Sequence, residues 1–264
     1  MASPLSTSEA DFFCENGYFI RHDAVPSTLI NRAVDGLWSG IHADRNDPTT
    51  WIDAEPKKPQ SSDPQSLDDI VYTTGLFDTI EAMAGKNRLN PTAPPTPLLR
   101  YPSGSSDWPS PSGGHVDGYG QQDGTVSGFT VAVAVYLNDI QPQSGGFCVW
   151  PGTHTRIGDY LRSHSLLSVN KRYQETNGKE SGGQVRMSTI IDMPPPLDIT
   201  APAGTAIFWH GRIVHSASKN RGRDIRMGLF TRYRWTDWPL LQFETPDDPW
   251  EHWKIGDPIR EFPH

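Results

Sequence analysis

From Gly128 to Asn138 the chain reads GFTVAVAVYLN, the clearest alternation in the sequence. Successive strand residues project to opposite faces, so Phe129, Val131, Val133, Val135 and Leu137 form one face. Thr130, Ala132, Ala134 and Tyr136 form the other, which is small and partly polar. The bulky face predicts core. The small face leaves space that either a ligand or an aromatic-rich neighbour would fill. Further short strands are expected at Leu98–Tyr101, Gly146–Trp150, Ser188–Ile191, Ala206–Trp209, Ile213–Ser216 and Ile225–Tyr233, with a hairpin turn at Asn220-Arg221-Gly222.

Ahead of these strands the period changes. Ser6, Thr7 or Ser8 can cap a helix carrying Ala10, Phe12 and Phe13 that ends near Asn16-Gly17. Tyr18-Phe19-Ile20 is a short strand, and Ile30, Val34, Leu37 and Ile41 line one face of a second helix. Residues 42–69 are polar and read as a long surface loop; a short helix is expected at Leu76–Ala84, and Asn170–Gln184 as a mobile insert. This predicts an α+β, mainly β protein: a double-stranded β-helix (jelly roll, cupin-like) with N-terminal helices packed on one sheet. One domain spans 1–264, with a helical preface at about 7–40, a β-helix core at about 98–234 and a Trp-rich tail at 235–264 whose Trp238, Trp250 and Trp253 cover the barrel.

Composition sharpens this only in places. Gly and Pro, 24 each, fit many turns between short strands. A net charge of −8 disfavours a surface that tracks phosphates, so nucleic acid is not an expected partner. Cys14 and Cys148 lack metal-like spacing and fit free thiols in a reducing compartment. MASPLSTSEADFF has no basic region followed by an apolar run, Glu-Phe-Pro-His is no peroxisomal address, and no segment is long and apolar enough for a bilayer. A cytoplasmic protein with no membrane partner is expected.

The chemistry lies in His115-Val116-Asp117. At i and i+2 of a strand, an imidazole and a carboxylate can grip one ion. His42-Ala43-Asp44 has the same spacing but enters the polar loop, and is expected to be solvated surface. A hundred residues after His115 comes Phe208-Trp209-His210-Gly211-Arg212-Ile213-Val214-His215-Ser216. A β roll sets early and late strands side by side, so His215 can complete a two-His, one-carboxylate triad. On an octahedral Fe(II) that leaves three positions, two for a 2-oxo acid and one for dioxygen. The acid's far carboxylate needs a planar cation. Arg226, across the turn from His215, leads Arg221, Arg223, Arg232 and Arg234, the last two lying too far along the strand. His210 has the opposite parity to His215 and is expected to be bonded within the fold, as is His154, in a turn after Pro151-Gly152.

With these residues the sequence resembles the phytanoyl-CoA dioxygenase-like oxygenases. The shared motifs are His115-Val116-Asp117, then Gly145-Gly146-Phe147-Cys148-Val149-Trp150-Pro151-Gly152-Thr153-His154, then the run ending in His215-Ser216-Ala217, then Arg226; the opening Phe12-Phe13-Cys14-Glu15-Asn16-Gly17-Tyr18 is also similar. The resemblance implies Fe(II) held by His115, Asp117 and His215, with 2-oxoglutarate and O2 as cosubstrates and Arg226 as the 2-oxoglutarate anchor. Many members carry Ser where this chain has Ala217, so Thr130 or Tyr136 is the candidate substitute. Arg100, Ala132, Ala134 and Trp150 are the candidate substrate-binding residues. Related halogenases lack the carboxylate, so Asp117 favours hydroxylation or another halide-free oxidation. The expected substrate is a small molecule in a natural-product tailoring step. The alternatives are an acyl-CoA hydroxylase of the phytanoyl-CoA type, a catalytically silent jelly-roll metal- or ligand-binding protein, and a zinc cupin-like isomerase or hydrolase.

Overall fold

The computed structural model describes residues 4–108, 111, 114–119, 124–169, 171 and 190–255. Its first helix, α1 (Thr7–Asn16), starts on a reciprocal cap in which Ser6 Oγ accepts from Glu9 N and Ser6 N donates to Glu9 Oε2. It stops at Gly17, whose φ of 78° suits glycine and whose Cβ position lies 2.5 Å from His154 Nδ1. The strand β1 (Tyr18–Arg21) and the helix α2 (Ser27–Trp38) follow as expected, α2 burying Ile30, Ala33 and Leu37.

The polar stretch at 42–69 is not one loop. Asp63 accepts from Ser66 N and Pro64 occupies the first turn, opening α3 (Pro64–Tyr72), which buries Leu67, Ile70 and Val71. The surrounding Ser, Asp and Gln residues masked that short apolar stripe. A single 3-10 turn covers Pro48–Trp51, and α4 (Leu76–Ala84) has the expected bounds.

Two antiparallel sheets make the roll. The larger contains β1, β2 (Leu89–Pro91), β3 (Thr96–Arg100), β4 (Val131–Tyr136), β7 (Ala206–His210) and β9 (Arg226–Trp235), in the order β1-β7-β4-β9-β2 with β3 also on β9. The smaller is β6-β5-β8, from β5 (Phe147–Val149), β6 (Leu197–Ile199) and β8 (His215–Ala217). The strand expected at Ser188–Ile191 lies partly outside the described residues, and Ile190–Ile191 form a turn. The insert expected at Asn170–Gln184 also lies outside them, apart from Lys171. Thr153 and His154, expected in a turn after Pro151-Gly152, instead open the helix α5 (Thr153–Ser163), which buries Thr153, His154, Ile157 and Leu161.

β4 divides the interior as its pattern dictates. Val131, Val133, Val135 and Leu137 join Phe208, Leu229 and Tyr233 beneath the helices, and Trp253 and Ile255 of the tail close the same cluster. Ala132, Ala134 and Tyr136 face into the roll against Ile207, Trp209, Phe147 and Phe230. Phe129 belongs to this inner set and not to the outer face expected for it, because the ladder begins only at Val131. Among the described residues no helix is long and apolar enough to cross a membrane.

The seam between the helical layer and the larger sheet rests on Phe19 and Phe208, register partners whose rings stack at 4.5 Å. Both rings are almost fully buried. Phe208→Ala is expected to cost about 3–5 kcal/mol, read as a lower urea midpoint at unchanged slope.

Candidate metal centre

His115 and His215 belong to segments a hundred residues apart, joined by one antiparallel bridge. His115 N donates to His215 O and His215 N to His115 O, each at 2.9 Å. Residues that exchange both bonds project to the same side, and the two ring centroids lie 4.5 Å apart. Two residues on, Asp117 returns to that side. Its Oδ1 is 3.2 Å from His115 Nε2 and its Oδ2 3.7 Å from His215 Nε2. The ligating atoms of all three lie within 4.8 Å of one another.

His215 Nδ1 donates to Ile213 O at 3.1 Å. Its Nε2 therefore meets Asp117 either as a second N–H or as a lone pair that needs a cation between them. Two imidazoles and a carboxylate suit a borderline divalent ion such as Fe(II), and metal bonds of about 2.1 Å fit these separations. Burial and the adjacent His215 push His115 below its usual value, against the pull of Asp117. For Asp117, burial favours the neutral acid, but bonds with the two histidines and the charge of Arg232 outweigh it, so the carboxyl is held well below the usual carboxylate range.

The carboxylate is set by its neighbour. Gly118 has φ +89°, and a Cβ there would lie 2.1 Å from Gly128 N. Ser127 N donates to Gly118 O, so the Asp117 loop is pinned to the approach to β4. A cleft opens from Asp117 toward the C-terminal segment, walled by Thr130, Arg212, Trp235, Trp238 and Trp253.

The structure thus gathers His115, Asp117 and His215, while His42 and Asp44 stay exposed on the surface. Arg226 is buried between the sheets, Nε bonded to Gly145 O and Nη1 to Leu98 O, both at 2.9 Å, and burial pulls it down to about 10. Several candidates are corrected. Ala132 and Ala134 are buried against Trp209 and Phe230, so among the described residues aromatic rings pack on the small face of β4, and neither alanine lines the cleft at Asp117. Trp150 packs with Cys148 and Val214 beneath Gly114, also away from the cleft. Tyr136 Oη donates to Ile199 O and accepts from Phe147 N, so its hydroxyl is used within the fold. Arg100 is the register partner of Arg226, partly exposed but with its guanidinium pulled below its usual value by burial, and it does not line the cleft at Asp117. Thr130 does line it, with Oγ1 accepting from Trp235 N. His210 and His154 bond within the fold as expected, although His154 sits in a helix.

One residue was passed over. Arg232 Nε lies 3.2 Å from Asp117 Oδ2. Its parity with Arg226, six positions earlier on β9, was the available signal, since both face the interior.

Residues 112–228 match the family model for phytanoyl-CoA dioxygenase, a stretch that holds all four motifs from His115 to Arg226. Over that stretch the chain is similar to the phytanoyl-CoA dioxygenase family. A comparison with curated proteins finds no match. Among solved structures, the chain is similar to SnoK, a non-heme alpha ketoglutarate dependent carbocyclase from nogalamycin biosynthesis, at 18% identity over 87% of this chain and 83% of that one, TM-score 0.52. It is similar to the epimerase SnoN in complex with Fe3+, alpha ketoglutarate and nogalamycin RO, at 16% identity over 86% and 82%, TM-score 0.56. HygX from Streptomyces hygroscopicus, with nickel, 2-oxoglutarate and hygromycin B bound, aligns at 16% identity over 88% of each chain, TM-score 0.53. At these identities the likeness shows the fold, the jelly roll expected from the sequence.

Two predictions arise here. Gly118→Ala displaces the carboxylate loop and is expected to weaken Co(II) binding about tenfold or more, measured by calorimetry with circular dichroism to verify folding. His154, in the first turn of α5, is held at about 4 by burial, against the bond its Nε2 makes to Cys14 O. Unfolded histidine protonates near 6.5, so the unfolded chain takes up a proton that the fold refuses. Stability is therefore expected to be full above about pH 6.5 and to fall as the pH drops toward 4. His154→Gln should flatten that slope in urea titrations at a series of pH values.

Proposed function

We propose that the chain is an Fe(II)- and 2-oxoglutarate-dependent oxygenase that oxidises, by hydroxylation in the first instance, a C–H bond of a small natural-product-like molecule. The observation that carries this reading is the convergence of His115, Asp117 and His215 on one point at the mouth of a jelly roll. Three ligands on one side leave the opposite side for a chelating 2-oxo acid and dioxygen. When bound, the iron supplies the oxidising power, drawn from O2 and the decarboxylation of 2-oxoglutarate to succinate.

The chain's own residues bind, orient and exclude water. His215, fixed by Ile213 O, presents Nε2 to the metal, and the reciprocal backbone bond sets His115 beside it. Arg226 would take the far carboxylate of 2-oxoglutarate. Its fork is held by Gly145 O and Leu98 O, and its Cζ lies 5.6 Å from the Phe230 ring. From Phe230 the aromatic layer continues through Phe147, 6.1 Å away, to His215, a further 5.6 Å. These rings would flank the cosubstrate's methylenes. Trp209 Nε1 is buried without a partner, and its ring lies 5.9 Å from that of His215; an oxygen-rich ligand would satisfy that donor. The cleft walled by Trp235, Trp238 and Trp253 would take the substrate. The folds of SnoK, SnoN and HygX, whose descriptions name nogalamycin biosynthesis and hygromycin B, support a tailoring role. Hydroxylation, cyclisation and epimerisation share such a site. The free thiols of Cys14 and Cys148 suit the reducing cytoplasm.

Anaerobic Fe(II) and 2-oxoglutarate are expected to give a visible charge-transfer band, and air with a substrate panel to release succinate. His115→Ala should lose the band and lower succinate release at least about 100-fold. A protein that binds Fe(II) but shows no band and no succinate would instead be a silent binder. Arg226→Lys is expected to raise KM for 2-oxoglutarate about tenfold with a smaller change in kcat, because an ammonium cannot reproduce the planar fork.

A further inference from the structure

Asp117 has two oxygens, and a metal held by one of them leaves the other in need of a donor. Without a metal, His115 Nε2 lies 3.2 Å from Oδ1 and His215 Nε2 3.7 Å from Oδ2, the nitrogens nearest the carboxylate on that side. Loading the site turns both nitrogens into ligands and removes them as donors. A largely buried carboxylate oxygen left unpaired is costly. Among the described residues the cation at hand is Arg232, with Nε 3.2 Å from Oδ2. That Nε is buried and has no hydrogen-bond partner among the described residues, since its contact with Asp117 lacks the alignment of a hydrogen bond. Two orphans, one present now and one created by the metal, sit side by side.

The guanidinium is also held in place. Its Cζ lies 5.6 Å from the Phe129 ring, and Arg232 is registered against Ala132 on the inner face. Arg226 lies six residues away on the same face, beyond Gly228 and Phe230, and serves different partners.

We infer that Arg232 is a positioning residue that holds Asp117 as a one-oxygen ligand. A slight turn of the carboxylate, as one oxygen moves onto the metal, aligns the other with Arg232 Nε–H. Asp117 is then kept from chelating through both oxygens, which would close a position the cosubstrates need. The positive charge also balances the carboxylate when the dianionic 2-oxoglutarate enters. This rests on the metal-site reading above and adds a residue to it.

The test uses Co(II) titration of the full chain, read by the visible ligand-field spectrum and needing no substrate. Wild type is expected to bind one Co(II), and His115→Ala to lose it. Arg232→Gln should bind about 10- to 100-fold more weakly and show a shifted ligand-field spectrum at saturation, from the second oxygen joining the metal. Arg232→Lys, the conservative variant, should regain part of the affinity but not the wild-type spectrum. Apo melting curves of both variants should stay near wild type, because among the described residues the Arg232 side chain makes no hydrogen bond that the fold needs. Unchanged or tighter Co(II) binding in Arg232→Gln overturns the inference, as does weaker binding with an unaltered spectrum. Either result leaves the metal site standing if His115→Ala still abolishes binding. Absence of Co(II) binding by wild type overturns both.

Discussion

The site depends on one pair of backbone hydrogen bonds. His115 and His215 exchange N–H and C=O groups at 2.9 Å, and this bridge joins a glycine-rich segment to the smaller sheet. Because residues so paired point the same way, the bridge fixes the separation of two imidazoles before any metal arrives. Asp117 needs only the two-residue repeat of an extended chain to join them. The rest of the roll holds the bridge in register: β8 continues it into β5 through Val149 and His215, and β5 carries it to β6.

Around the bridge, packing and electrostatics oppose each other usefully. The inner face of β9 carries Arg226, Phe230 and Arg232, two cations with an aromatic ring between them. Each cation lies against a ring, Arg226 over Phe230 and Arg232 over Phe129. Aromatic faces tolerate a guanidinium where aliphatic side chains would only desolvate it. Arg226 meets backbone carbonyls and Arg232 meets a carboxylate. A single strand can therefore serve both ends of an interior that would otherwise exclude charge.

The C-terminal segment has two roles. Trp253 and Ile255 enter the core beneath the helices, and Ile255 N donates to Met83 O, while Trp238 and Trp253 wall the cleft near Asp117. His154 and His210, ring centroids 5.4 Å apart, pack against Trp250 in the same region. Burial keeps His210 well below its usual value, so both histidines act as neutral packing surface.

Local pattern was enough for much of this. Alternation in β4 determined which residues face the helices, the Ser6–Glu9 cap and Gly17 bounded α1, and the two-residue spacing of His115 and Asp117 put both on one side, because these depend on periods of two and 3.6 residues that any short segment displays. The helix α3 escaped notice because its stripe of Leu67, Ile70 and Val71 is short and set among polar residues. Whether the vacancy beside Ala132 and Ala134 was a pocket or a packing site could be decided only by Trp209 and Phe230, which arrive from distant strands. For the same reason Arg232 looked too remote along β9 until the β4–β9 register and the Asp117 loop, pinned by Gly118, brought its Nε to the carboxylate. A sequence displays which way a side chain points along its own strand; which side chains it meets is set by the register between strands, and that belongs to the tertiary structure alone.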